Sequence, residues 1–149
     1  QRGSRVPWGV LLLVAGGICL ARGFVASGLS AQVGEALTLV AALPVFLMML
    51  LLALVVTFLT EATSNTATTA LLMPVLAAVA LAVDIDPLWL MVPAAMSASC
   101  AFMLPVATAP NAVVLGSGEL PIQRMVREGF VLNLFGAIVI AGLMTLILS

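Results

Sequence analysis

The chain has 149 residues, of which 64% are hydrophobic and 7% charged, with a mean hydropathy of +1.32 and a net charge of −1. A soluble domain carries roughly a quarter charged residues, so no water-facing fold hides this much apolar surface, and lipid must be the solvent for most of it. With five Arg and neither Lys nor His, nothing points to nucleic acid or to a polybasic lipid contact.

Four apolar blocks follow in order. The first runs from Val6 to about Ala21, with Trp8 at a headgroup-like position. Residues 22–35 mix Arg22, Ser27, Ser30, Gln32 and Glu35 with Phe24, Val25 and Leu29. They suit an amphipathic arm in the interface or an ordinary loop. The second block, Ala36 to Leu59, carries Pro44 and is long enough to span. A polar run, Thr60 to Thr69, comes next, then an apolar stretch from Ala70 to Val83 with Pro74 inside it. Asp84-Ile85-Asp86-Pro87 reads as an exposed turn.

That apolar stretch holds 14 residues. As a helix it covers roughly 21 Å, against a hydrocarbon core of about 30 Å. The polar run is therefore expected part-way through the membrane, at the tip of a re-entrant hairpin; a full span is the competing arrangement. The third block, Leu88 to Gly116, has no charge but carries Pro105 and Pro110, and a break at depth is expected over residues 104–111. The fourth, Gly129 to Leu148, is a plain spanning helix. Arg2 and Arg5 before the first block and Arg124 and Arg127 before the fourth place both starts on the cytoplasmic side, and the C-terminus outside. Cys19 and Cys100 lie in apolar segments and read as buried thiols, not a disulfide.

The polar breaks carry the chemistry. Ser64, Asn65 and Thr66 are helix-starting residues, so a helix from there points free amide hydrogens and its positive end into the tip, where an anion binds. The incoming helix brings its carbonyls and negative end alongside. With the Ser64 and Thr hydroxyls and the Asn65 amide oxygen these suit a hard cation such as sodium. Thr108-Ala109-Pro110-Asn111 can repeat the arrangement, with Pro110 at the first helical position and the carbonyls of Pro105 to Ala107 freed. No basic residue lies between Arg22 and Arg124, so an anionic substrate must be met by dipoles and a bound cation. Isolated Ser97, Ser99 and Asn133 read as interhelical packing groups. Glu61 reads equally as a functional or a structural carboxylate.

Thr60-Glu61-Ala62-Thr63-Ser64-Asn65-Thr66-Ala67-Thr68 resembles the Ser-Asn-Thr signature of the divalent anion/sodium symporter family, the sodium-coupled dicarboxylate and citrate carriers. Ser99 to Asn111 resembles that family's second signature, and Pro7 to Leu13 with Gly16-Gly17 is also similar. The resemblance covers essentially the whole chain. It implies an all-α integral membrane carrier, not an enzyme, of which this chain is the second half of an inverted repeat. Residues 1–35 would be the last scaffold helix and the arm, and 36–149 part of the transport domain. That part would comprise a hairpin over 36–83, a broken helix over 87–117 and a final helix over 129–148. By motif match Thr60, Thr63, Ser64, Asn65 and Ala107 would line a sodium site. Asn65, Thr66 and Thr108, with Pro110 and Asn111 beside them, would meet a substrate carboxylate. The resemblance also implies elevator transport of di- or tricarboxylates by a homodimer, in a bacterial inner or plasma membrane. Ala109 stands where many relatives carry proline, and the partner Ser-Asn-Thr of the first repeat is absent, so this chain would hold half a site. A carrier of arsenite, sulfate or another small anion, a sodium-independent exchanger, and a structural or channel-like subunit are the competing readings.

Overall fold

A computed structural model of the chain describes residues 8–29, 31–32, 43–118 and 120–148. Arg2, Arg5, Glu35 and Glu119, and the expected first residues of the hairpin, 36–42, lie outside them. Among the described residues every regular element is a helix. In chain order these are α1 Trp8–Ala26, α2 Val45–Ala62, α3 Asn65–Ala82, α4 Leu88–Ala98, α5 Ala109–Gly116 and α6 Ile122–Leu148. Of these, α2, α3 and α6 are long and apolar enough to cross a membrane. The chain is an integral membrane protein.

Several boundaries differ from expectation. Helix α1 continues five residues beyond Ala21, taking in Arg22–Ala26 from the expected arm. It stops at Gly28, whose φ of +75° is left-handed backbone that glycine adopts without strain. A new turn begins there, with the amides of Ala31 and Gln32 donating to the Gly28 carbonyl. Helix α3 is longer than the apolar stretch because Asn65–Thr69 are helical too. Its 18 residues reach about 27 Å, so shortness alone does not argue for re-entry. Helix α6 starts at Ile122, not Gly129. Arg124, Arg127 and Glu128 lie exposed on its first turns instead of in a linker. The Asp84–Pro87 turn is as expected: Asp84 has φ 57° and Asp86 Oδ1 accepts from the Leu88 amide at 2.9 Å. Both cysteines are free, but Cys19 is exposed.

The packing follows the apolar stripes. Met49 and Ala53 of α2 meet Ala137, Ile140, Ala141 and Met144 of α6, and the Phe58 and Phe130 rings lie 5.7 Å apart. Those pairings make α2 and α6 antiparallel. Leu52 of α2 and Leu76 of α3 share clusters with Leu90, Ala94 and Ala98 of α4. The two leucines stand at equal chain distance from Ser64, as antiparallel arms require. Helix α4 packs against both arms and ends at the tip. The outer faces stay apolar and exposed, with Leu51 and Val55 on α2 and Phe135, Ile138 and Val139 on α6. Surface of that kind belongs in lipid or against further protein.

Two glycines permit close backbone approach. A Cβ on Gly17 of α1 would lie 2.4 Å from the Ala70 carbonyl oxygen. Pro74 has no amide hydrogen, so Ala70, four residues back, lacks its helical partner. The absence of a side chain at Gly17 lets α1 lie directly against that freed carbonyl. On α6, a Cβ on Gly129 would lie 2.3 Å from the Phe102 carbonyl oxygen, so the backbone of the second break rests directly on the helix.

These contacts set an adjacent-residue test. Gly17→Ala should destabilise the full-length protein by about 1–3 kcal/mol through overpacking. Gly16→Ala should be neutral or mildly stabilising, because a Cβ at Gly16 meets nothing within 4 Å. Thermal unfolding in detergent reads the difference, and equal midpoints for the two variants would refute the contact. Gly129→Ala should lower the midpoint as Gly17→Ala does.

Candidate functional site

The tip between α2 and α3 is two residues long. Thr63 and Ser64 are extended, with φ −131°, ψ 166° and φ −74°, ψ 145°. Short polar side chains that bond nearby backbone favour such a break. Ser64 caps α3, its Oγ accepting from the Ala67 amide at 3.1 Å. Thr63 Oγ1 donates to the Leu59 carbonyl at 3.0 Å and also meets Thr68 Oγ1. Thr69 Oγ1 donates to the Asn65 carbonyl. No described hydrogen bond takes the amide hydrogens of Asn65 or Thr66, which stand at the positive end of α3.

Thr60 forms the junction with α4. Its Oγ1, fully buried, lies 2.9 Å from the Ala98 carbonyl oxygen and 3.0 Å from Asn65 Oδ1. One hydroxyl has one proton to donate, so three oxygens converge with a single hydrogen among them. The ends of α2 and α4 both face this point, bringing two negative helix ends beside the positive start of α3.

Beside the junction lies an open depression of about 390 Å³, lined by Asn65, Thr66, Thr69, Ala70 and Ser99. That volume suits a small molecule. Its lining holds amide and hydroxyl groups and no charge, as expected from the absence of nearby Arg and Lys. Ser99, read from sequence as a packing group, is exposed here.

The second break spans residues 99–108, beginning five residues before the expected start. The cause is Glu61, which is 4% exposed at the end of α2. Glu61 Oε1 accepts the amides of Phe102 and Met103, each at 2.8 Å, and Oε2 accepts that of Leu104 at 2.9 Å. Asn133 of α6, fully buried, donates Nδ2 to Oε1 at 2.7 Å. In a continuing helix those three amides would bond the carbonyls of Ala98, Ser99 and Cys100. The carboxylate takes their place and the helix stops before Pro105 is reached.

The break is closed from its other side. Asn111 Nδ2 donates to the Ala101 and Leu104 carbonyls at 2.9 and 3.0 Å, and Thr108 Oγ1 caps α5 by accepting from the Asn111 amide. Pro110 takes the second position of α5, because the helix starts at Ala109. That position also has no helical partner for an amide hydrogen, so proline costs nothing there. No described hydrogen bond reaches the carbonyls of Pro105, Val106 or Ala107, which remain open acceptors as expected.

Of the residues singled out from sequence, Thr60, Thr63, Ser64, Asn65 and Thr66 come together at the tip. Ala107, Thr108, Pro110 and Asn111 gather at the second break, and no described hydrogen bond joins them to the tip. The carbonyl within reach of Thr60 is that of Ala98. The sequence did not single out Ala98 and read Ser99 and Asn133 as packing groups, whereas the structure places Ala98 and Ser99 beside the tip and Asn133 on Glu61. Each is a small or singly polar residue whose importance comes from its neighbours. Glu61 alone carried a signal, as an ionisable group at membrane depth.

The family model described as "Sodium:sulfate symporter transmembrane region" matches residues 2–148. "Sodium-dependent dicarboxylate transporter SdcS" of Staphylococcus saprophyticus is 49% identical over 135 residues, 91% of this chain and 26% of that protein. "Solute carrier family 13 member 2" is 46% identical over 137 residues in Mus musculus and 44% over 138 in Homo sapiens. Each of these matches covers 92–93% of this chain and 23% of the relative. The chain thus spans about a quarter of the length of the curated relatives it matches. The two signatures pointed to this family, and the match over nearly every residue decides it: the chain belongs to the sodium:sulfate symporter transmembrane family.

Proposed function

We propose that this chain supplies one half of the cation and substrate site of a sodium-coupled carrier of di- and tricarboxylate anions. The observation that carries this is the junction of Thr60 Oγ1, Asn65 Oδ1 and the Ala98 carbonyl. Three oxygens short of protons are the donor set a hard monovalent cation resolves, and two negative helix ends add to its attraction. Thr63 and Ser64 border this cation position, and Ala107 offers one of the open carbonyls of the second break. The depression beside it offers the amides of Asn65 and Thr66 and the hydroxyl of Thr66 to a carboxylate, while Thr69 and Ser99 line it with their hydroxyls donated to the Asn65 and Ala95 carbonyls. Thr108, Pro110 and Asn111 are assigned to the same anion through the second break. The name of the Staphylococcus saprophyticus relative, which states sodium dependence and dicarboxylate transport, agrees with this reading.

The tip's depth supports a re-entrant hairpin. Glu61 lies beside Asn133, five residues beyond the exposed Glu128 of α6. If the charged turn of α6 marks a membrane surface, the tip stands roughly 8 Å inside it. Such a half-site needs a partner hairpin from an N-terminal repeat, moving as one transport domain against a scaffold in a homodimer. In a bacterial inner membrane, α1 would start in the cytoplasm and α6 would end outside.

In proteoliposomes of the full-length carrier, an inward sodium gradient should drive uptake of radiolabelled succinate, and replacing sodium by choline should abolish it. Uptake unchanged without sodium refutes the coupling. Asn65→Ala should lower uptake by at least tenfold, on the order of losing one charge-assisted contact to cation or anion; full uptake by that variant refutes the site. Excess unlabelled sulfate should compete weakly, and full competition would favour sulfate as the substrate. Ser64→Asp keeps the cap but places an anion at the positive end of α3, so it should raise the succinate half-saturation. Ser64→Ala should instead cost about 1 kcal/mol of stability, read by thermal unfolding.

A further inference from the structure

We infer that Glu61 and Asn133 are positioning residues that create the cation site, by taking the Phe102 amide that would otherwise bond the Ala98 carbonyl. This rests on the reading of the tip as a cation site. In an unbroken helix the Phe102 amide would donate to Ala98, four residues back. Here it donates to Glu61 Oε1 at 2.8 Å, with Asn133 Oδ1 at 3.3 Å as second acceptor. Ala98 is left free of its helical partner, and its carbonyl turns to Thr60 Oγ1. Thr60 and Glu61 are adjacent on α2, so one turn of that helix both removes the donor and meets the freed acceptor.

Asn133 is what holds the carboxylate in register. It bonds Glu61 through Nδ2 and Phe102 through Oδ1, using both ends of its amide. It sits on α6, far along the chain, where Gly129 one turn earlier lets the Phe102–Met103 backbone lie against the helix. Cation affinity is thereby tied to α6, which contributes no cation ligand. By linkage, a cation bound at the tip must in turn stabilise the bonds at Phe102, Met103 and Leu104.

The test uses the full-length carrier in proteoliposomes. Asn133→Leu keeps the branched shape and removes the amide. It should raise the sodium half-saturation of succinate uptake about tenfold, with the maximal rate at saturating sodium changed by less than about twofold. Glu61→Gln should do the same more strongly, because its amide nitrogen would face the Leu104 amide. A lower maximal rate with an unchanged half-saturation for sodium in Asn133→Leu would mean a merely structural role and overturn the proposal. A second measurement does not depend on any variant folding. Sodium should slow hydrogen–deuterium exchange at the amides of Phe102, Met103 and Leu104 in the unaltered protein, though none of them touches the cation. Sodium-dependent uptake without that slowing overturns the positioning role alone. Sodium-independent uptake by the unaltered carrier would instead remove the cation reading beneath it.

Discussion

The buried carboxylate of Glu61 organises everything around the tip. Both its oxygens act only as acceptors, for three consecutive backbone amides and one side-chain amide. Bonds to a charged group contribute about 1.5–3 kcal/mol each, and leaving water costs an ion several kcal/mol. Four such bonds together offset that cost. The group is therefore stable at depth only while α2, the second break and α6 stay together. Separating α2 from the second break leaves a bare charge and bare amides in an apolar medium, and losing α6 takes the Asn133 amide from the carboxylate.

From that lock the polarity of the site follows. Helix α4 must end at Ala98, so its negative end meets that of α2 beside the start of α3. Each helix end acts as about half an elementary charge. Two negative ends match one monovalent cation, and the positive end beside them suits part of a carboxylate. The described residues thus present helix ends, amides and hydroxyls at the tip and no basic side chain.

Much of this was legible in the residues. The apolar blocks, the Asp84–Pro87 turn, the break at Thr63-Ser64 and the interruption around Pro105 are all marked there. Chain chemistry within a few residues decides the first three, whereas for the last Pro105 announces only that a break comes and Glu61 sets where it starts. Boundaries were less legible. Helix α3 absorbed Asn65–Thr69 because a Ser64 cap makes the first polar turn a good helix start. Helix α6 absorbed Arg124 to Glu128 because charged residues are good helix formers once they lie beyond the apolar layer.

The sequence by itself determined that the chain needs lipid, that it breaks where polar and proline residues interrupt the apolar blocks, and that no lysine or arginine lies between Arg22 and Arg124. Those are consequences of composition and short-range backbone chemistry. Only the tertiary structure decided which carbonyl faces Thr60, where the second break begins, and that Asn133 takes part. Each of these depends on a hydrogen bond between residues distant in the chain, where an acceptor on one helix outcompetes the helical partner of another. Such competition is settled by packing, and no local pattern announces its outcome.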